Sequence, residues 1–382
     1  MAVAVICEFN PFHNGHRFLL SEARRLTGGG VIAVMSGDFT QRGELAVCSK
    51  FDRARAALNN GADLVAELPA AYAVSSAERF ARGGVGTARL FGCVDHLAFG
   101  CEDDDLGLLK KAAFARDDTE VNKLIAGEMS GGSYYPRALD FAVRQVFGDE
   151  TADILSKPNN ILACEYIRAL SGSGIEPLPV KRRGAAHDSD RADGEFASAS
   201  YIRRLLRSGE NAGAFLPEAP REITYPENLN AAVMYRLRSM TPEELRLLPD
   251  VSEGLENRII SAARSRATVD EVIDEVKTKR YTRARIGRII TCALLGITEE
   301  LQNLNIGHVR VLGFTPEGEK MLGSCSGEIV TSVSKSASLG EDAAALLAAD
   351  IRATDTAALG YGEIKPCGAD YLTKIIKVNS AK

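Results

Sequence analysis

Short all-apolar runs alternate along the chain with longer stretches whose apolar positions recur at helical spacing. The short runs, at Ala2–Cys7 and at residues 31–35, 63–68, 95–99 and 176–182, predict strands buried on both faces. The periodic stretches predict helices over 17–26, 50–60, 75–91, 159–170 and 199–206. That rhythm predicts an α/β fold built on a doubly wound parallel sheet with right-handed crossovers, whose ligands bind outside the carboxyl ends of the strands. A weaker helical pattern over 106–147 reads as an insertion or lid. The Pro-, Glu- and Asn-rich segment 217–230 is the candidate boundary between residues 1–220 and a mainly helical C-terminal domain, 221–382. In that second part helices are expected at 231–239, 242–248, 255–266, Val269–Val276, Arg283–Leu295 and 343–354. Strands are expected at 308–315 and 328–333, flanking a turn at Pro316-Glu317-Gly318.

Composition narrows the class. With 382 residues, 45% hydrophobic and 25% charged, the chain has room for two or three ordinary globular cores. No segment approaches the roughly 20 apolar residues of a membrane span, and the apolar N-terminal run has no basic residues ahead of it, so it reads as a strand and not as a signal peptide. A cytoplasmic location is expected. The eight cysteines include no C-x-x-C pair and read as reduced core residues, not as a zinc site or a disulfide frame. A net charge of −5 argues against indiscriminate nucleic-acid binding but leaves room for a local basic patch.

The densest chemistry follows the first strand, in Phe9-Asn10-Pro11-Phe12-His13-Asn14-Gly15-His16. Two imidazoles at i and i+3 sit beside the free N–H groups of a helix start, where phosphates bind. There they can stabilise charge developing on a phosphate under attack. Other clusters also follow strand ends. Met35-Ser36-Gly37 through Gln41-Arg42-Gly43-Glu44 suits a loop closing over a small molecule, or a solvated turn. Lys50 and Arg53 on the next helix are candidates for phosphate contacts, with a plain exposed role the better reading for Arg53 and Arg55. Gly100 permits close approach of a flat base or ribose, or simply a turn. Asn159 and Asn160 read first as helix capping, with recognition of a base edge or ribose as the alternative. Arg182 and Arg183, with His187 and Asp188 just beyond, offer bidentate contacts to a triphosphate. Ser198, Ser200 and Arg203 open a helix as a second phosphate cradle. In the second half Lys277, Lys279, Arg280, Arg283, Arg285 and Arg288 surround Tyr281 and form a candidate RNA contact. The competing reading is a solvated face paired to Asp270, Glu271, Asp274 and Glu275.

Together these stretches resemble the bacterial tRNA(Met) cytidine acetate ligases, a branch of the H-x-G-H nucleotidyltransferase superfamily. The matching residues are Cys7 to His16, Met35-Ser36-Gly37, Gln41 to Glu44, Gly61 to Pro69, Phe99-Gly100 with Glu102, Pro158 to Leu162, Ala197 to Ser200, and Ile202-Arg203. The Lys279-Arg280-Tyr281 block looks similar too. Departures are Leu45 in place of proline, Cys48-Ser49 where an aspartate precedes the lysine, Ala163 in place of glycine, and Ala186-His187 where a tyrosine is usual.

The resemblance implies a Rossmann-like ATP-binding catalytic domain and an enzyme that activates acetate as acetyl-adenylate. The acetyl group then passes to N4 of the wobble cytidine of elongator tRNA(Met), and AMP and pyrophosphate are released. It implies catalytic roles for His13, His16, Ser198 and Arg203. ATP contacts are expected from Ile6, Cys7, Glu8, Phe9, Asn10, Pro11, Phe12, His13, Asn14, Gly15, His16, Arg17, Phe18, Leu19, Gly100, Asn159, Asn160, Arg182 and Arg183. Lys277 to Arg288 would hold tRNA. Mg2+ is expected only as the usual companion of ATP phosphates, since no carboxylate cage is visible. No obligate protein partner is evident. The alternatives are an adenylyltransferase making a small nucleotide cofactor and a non-catalytic RNA-binding protein on a relic nucleotide fold.

Overall fold

The computed structural model describes residues 1–183 and 192–379. His187 and Asp188 lie outside the described residues. The eight strands form one sheet: β1 (Ala2–Cys7), β2 (Gly30–Ser36), β3 (Leu64–Leu68), β4 (Val94–Cys101), β5 (Glu176–Lys181), β6 (His308–Phe314), β7 (Glu328–Val330) and β8 (Ile376–Lys377). Their order is β5-β4-β1-β2-β3-β6-β7, with β8 also on β6. The first five are mutually parallel. β1 and β2 are buried along almost their whole length because helices cover both faces. Ala4 and Ile6 join one core and Val3 and Val5 another, the consequence of side chains alternating along a strand.

The chain winds from β1 outward to β3, then returns to place β4 on the other side of β1. The crevice at that reversal, beyond the carboxyl ends of β1 and β4, is where such a sheet binds ligands.

The expected tight turn between two C-terminal strands is replaced by a short helix, Pro316–Met321, and β7 lies parallel to β6. β6 runs antiparallel against β3, so strands from both sides of residue 220 share one sheet. The segment expected to be a boundary is stitched down. The Thr224 N–H donates to the Val47 carbonyl at 2.9 Å and the Tyr225 N–H to Gly360 at 2.7 Å. The 106–147 region forms helices Leu106–Phe114, Thr119–Ser130 and Tyr135–Phe147; the second and third share a small core that includes Val121, Ile125 and Val143, while Leu109, Ala112 and Ala113 of the first join the main core. Among the described residues no helix is long and apolar enough to cross a membrane. All eight cysteines are free thiols, and only Cys367 is exposed.

Candidate active site

The first helix spans Asn14–Thr27, three residues earlier than the pattern predicts, which brings His16 into its first turn and leaves His13 immediately before it. His13 is the N-cap. Its Nδ1 accepts the Gly15 N–H at 3.0 Å, while the His13 N–H donates to His16 Nδ1 at 3.3 Å. This is a capping box made of two imidazoles. The rings stack with centroids 3.7 Å apart. A Cβ at position 15 would stand 2.9 Å from His13 Cε1, so only glycine leaves the ring its place. Because each Nδ1 accepts, each Nε2 carries the proton, a tautomer inferred from the hydrogen bonds. Burial drives the His13 pKa down to about 3, helped by Arg182 and Arg203. Burial, then His13 and Arg182, hold His16 well below its usual value. Near neutral pH both are uncharged N–H donors.

Phe9 enters this turn with φ of +47°, and its ring packs edge-on against Phe12 at 4.9 Å. Asn10 ties the turn to two neighbours. Its Oδ1 accepts from the Val47 N–H at 2.7 Å, and its carbonyl accepts from Arg203 Nη1 at 2.9 Å.

A cavity of about 410 Å³ opens beside the histidines. Of the residues expected to contact ATP, it is lined by Ile6, Cys7, Glu8, His13, Gly15, His16, Phe18, Leu19, Gly100, Asn159, Arg182 and Arg183. An adjoining cavity of about 130 Å³ shares Glu8, His13, His16, Asn159 and Arg182, and adds Asn10, Ser198, Ser200 and Arg203. The imidazole pair, Arg182 and the serine-arginine turn therefore surround one connected space. Ser198 caps helix Ala199–Ser208, accepting from the Tyr201 N–H at 3.1 Å, and points that helix's start at the cavity. Arg183 lays its guanidinium over the Phe18 ring at 4.5 Å.

Other candidates sit elsewhere. Phe9 and Phe12 are buried in the core beneath the sheet, and Pro11 faces a separate small hollow. Asn14 donates to the carbonyls of Glu195 and Ala214, and Arg17 reaches Glu195 at 3.5 Å. Neither lines the cavity. Asn160 is fully buried and accepts from the N–H groups of Glu102 and Asp103. Capping of helix Pro158–Ala169 falls to Glu102, whose carboxylate accepts from the Asn160 N–H at 2.9 Å. Lys50 and Arg53, candidates for phosphate contact, are buried instead. Lys50 Nζ pairs with Glu67 and Asp370 at 2.8 and 2.9 Å, and Arg53 donates to the carbonyls of Glu8 and Ser36. Both lock the sheet edge from behind.

The loop after β2 does close over the site. Gln41 and Arg42 line the large cavity, and the Gln41 N–H donates to Glu8 Oε1 at 2.6 Å. Its outer side rests on helix Arg283–Leu295, where Thr291 Oγ1 donates to the Gly43 carbonyl at 2.6 Å. Gly43 has φ of +74°, and a Cβ there would stand 2.6 Å from the Gly287 backbone. Backbones meet directly at this point. The contact is invisible in sequence, since two isolated glycines 244 positions apart carry no pattern.

The basic stripe is largely neutralised. Arg280 pairs with Glu253, Arg283 with Asp270 and Asp274, and Arg288 with Asp250, while Arg285 donates to the Asp250 carbonyl. Lys277 and Lys279 are exposed. A groove of about 980 Å³ lies between this region and the 130 Å³ cavity. Arg203, Arg204, Arg207 and Arg283 line it, and it shares Arg42, Glu44 and Ser200 with the smaller cavity.

A doubly wound sheet with this histidine-capped helix defines a nucleotidyltransferase. The family model described as HIGH Nucleotidyl Transferase matches residues 1–368, and the chain belongs to that family. Within it the chain is a member of the tRNA(Met) cytidine acetate ligases. It is 36% identical to the proteins of that name from Thermoanaerobacter sp. (strain X514) and Caldanaerobacter subterraneus subsp. tengcongensis, over 98% and 99% of its length and 99% and 100% of theirs. The crystal structure of Thermotoga maritima TmcAL without ligand superposes with a TM-score of 0.91 at 30% identity, covering 99% of both chains. The same protein bound with alpha-thio ATP superposes at 0.89.

Proposed function

We propose that this protein is an ATP-dependent ligase that activates acetate as acetyl-adenylate and transfers the acetyl group to N4 of the wobble cytidine of elongator tRNA(Met). The observation that carries the reading is the single connected space bounded by two neutral imidazoles, Arg182 and the Ser198–Arg203 turn. The relatives' name and the ATP-analogue complex of a similar protein agree with it.

In this reading an acetate oxygen attacks the α-phosphorus of ATP and pyrophosphate leaves. Charge grows on the phosphate oxygens, toward which His13 and His16 present Nε2–H groups. Being uncharged, they donate hydrogen bonds without themselves losing a proton. Arg182 and Arg203 offset the charge of the departing pyrophosphate, and the start of helix Ala199–Ser208 adds the positive end of its dipole. Among the described residues no group of three His, Cys, Asp or Glu could hold a metal ion. A Mg2+ ion arriving with ATP would be held by the phosphates.

Cytosine's exocyclic amine is a weak nucleophile, so the acetyl group must arrive on a good leaving group. Making and using the adenylate in one closed pocket protects it from water. The target base leaves its stack to enter. The groove lined by Arg203, Arg204 and Arg207 supports an RNA path toward the outlying Lys277 and Lys279, while Arg283 on its wall is paired with Asp270 and Asp274. The contacts of Arg280, Arg285 and Arg288 with Glu253 and Asp250 leave those arginines less available to phosphates.

Mass spectrometry of elongator tRNA(Met) after incubation with ATP and isotopically labelled acetate tests the reading. Label on the wobble cytidine is the expected result. Labelled small adenylylated products with unmodified tRNA would favour a cofactor-forming adenylyltransferase instead.

A further inference from the structure

Glu8 stands immediately past β1 and borders both the 410 Å³ and the 130 Å³ cavities. A carboxylate here is electrostatically adverse: the space is otherwise shaped for a triphosphate and an acetate anion, and a fixed negative charge repels both. Its neighbours around the shared part, His13, His16, Arg42, Asn159 and Arg182, all carry hydrogen-bond donors. Among the described residues the other acid lining this space, Glu44, is half exposed and lies 3.8 Å from Arg203. The carboxylate is also aimed. The Gln41 N–H holds Oε1 at 2.6 Å, and Oε2 has no hydrogen-bond partner among the described residues. The Glu8 carbonyl is fixed in turn by Arg53 Nη1 at 2.6 Å.

Resting on the ligase reading above, we infer that the Glu8 carboxylate is the general base of the transfer half-reaction, receiving the proton that the cytidine N4 amine must lose. The N4 lone pair forms a bond to the acetyl carbonyl carbon. The bond from that carbon to the phosphate oxygen breaks with its electron pair, and AMP departs. One N4 hydrogen passes as a proton to Glu8 Oε2 and from there to solvent. A carboxylate is also the side chain that accepts a hydrogen bond from cytosine N4, so the same group orients the amine before taking its proton. Burial raises the Glu8 pKa, with Glu44 adding to the rise and the Gln41 N–H, Arg203 and Arg42 opposing it, which brings the group closer to the working range of a base.

The test measures the two halves separately on the full chain. Glu8→Gln keeps the size and the acceptor for the Gln41 N–H but takes up no proton. Acetyl transfer from labelled acetate to a tRNA(Met) transcript in a single turnover is expected to fall about 100-fold further than acetate-dependent ATP–pyrophosphate exchange. The acidic limb of the wild-type transfer rate should flatten in the variant, and Glu8→Asp should recover part of the transfer. Equal losses in both halves, or transfer as fast as wild type, would overturn the role of Glu8. Wild-type protein without acetate-dependent exchange would overturn instead the ligase reading beneath it, before any variant is compared.

Discussion

In the proposed reaction the histidine pair would work because it is neutral. Each Nδ1 is used up as an acceptor inside the helix cap, and stacking at 3.7 Å leaves no room for two positive charges. The depressed His13 value has a consequence for stability. The unfolded chain takes up protons below about pH 6.5 while folded His13 stays uncharged until about 3, so stability is lost as pH falls through that window. The cost is about 1.4 kcal/mol per pH unit below 6.5 for this one group. Chemical denaturation at pH 7 and pH 5 should therefore show a smaller acid loss in His13→Asn than in wild type; equal losses would mean the imidazole is not held neutral. The motif itself was legible in sequence, as eight clustered residues with two of the chain's five histidines. Its cap geometry was not, because a one-turn shift in the helix start moves His16 into the helix and makes His13 its cap. Asn14 and Arg17, which the resemblance implies as ATP contacts, reach Glu195 instead of lining the cavity, and Asn160, read first as a capping residue, is buried against Glu102 and Asp103; an amide or guanidinium shows no direction until its neighbours are known.

Between elements, two contacts hold the site in shape. Lys50 on helix Lys50–Asn59, Glu67 on β3, Arg310 on β6 and Asp370 near the C-terminus form a buried ion cluster, with Asp350 beside it. Replacing Lys50 by Met leaves Glu67 and Asp370 facing each other without their shared cation. That change should cost about 3 kcal/mol or more, read as a drop in the denaturant midpoint. A loss within experimental error would show that the carboxylates simply take up protons. The second contact is Gly43 against Gly287, which seats the loop carrying Gln41 and Arg42. Gly287→Val should displace that loop and lower ATP–pyrophosphate exchange at least tenfold while the melting temperature moves little; unchanged exchange would mean the loop holds its place unaided. Strand and helix identities were readable because both periodicities are strong in the first half. The ion cluster was not. In sequence Lys50 and Arg53 are only basic residues on a helix; Asp370, returning from far along the chain, closes over Lys50, and Arg53 is buried among the carbonyls of Cys48, Glu8 and Ser36.

Taken as one body, the molecule joins a nucleotide pocket to a groove that reaches the C-terminal helices, and the sheet itself is completed by β6, β7 and β8. The pattern predicts β6 and β7 but not the two-residue β8, and it does not reveal that β6 pairs antiparallel with β3, because long-range pairing leaves no local trace. RNA binding by an acidic protein through a local basic path should be strongly salt-dependent. Replacing Lys277 and Lys279 together by Ala should weaken tRNA binding and flatten the slope of log affinity against log salt by up to about two. An unaltered slope would move the RNA path away from those two lysines. The account as a whole rests on the imidazoles, Arg182 and the serine-arginine turn acting on one triphosphate. Acetate-dependent exchange of labelled pyrophosphate into ATP, compared between wild type and His16→Ala, tests that most directly. Wild type should exchange only when acetate is present, and the variant should lose about 100-fold or more. Exchange that needs no acetate, or that survives the loss of His16, would contradict it.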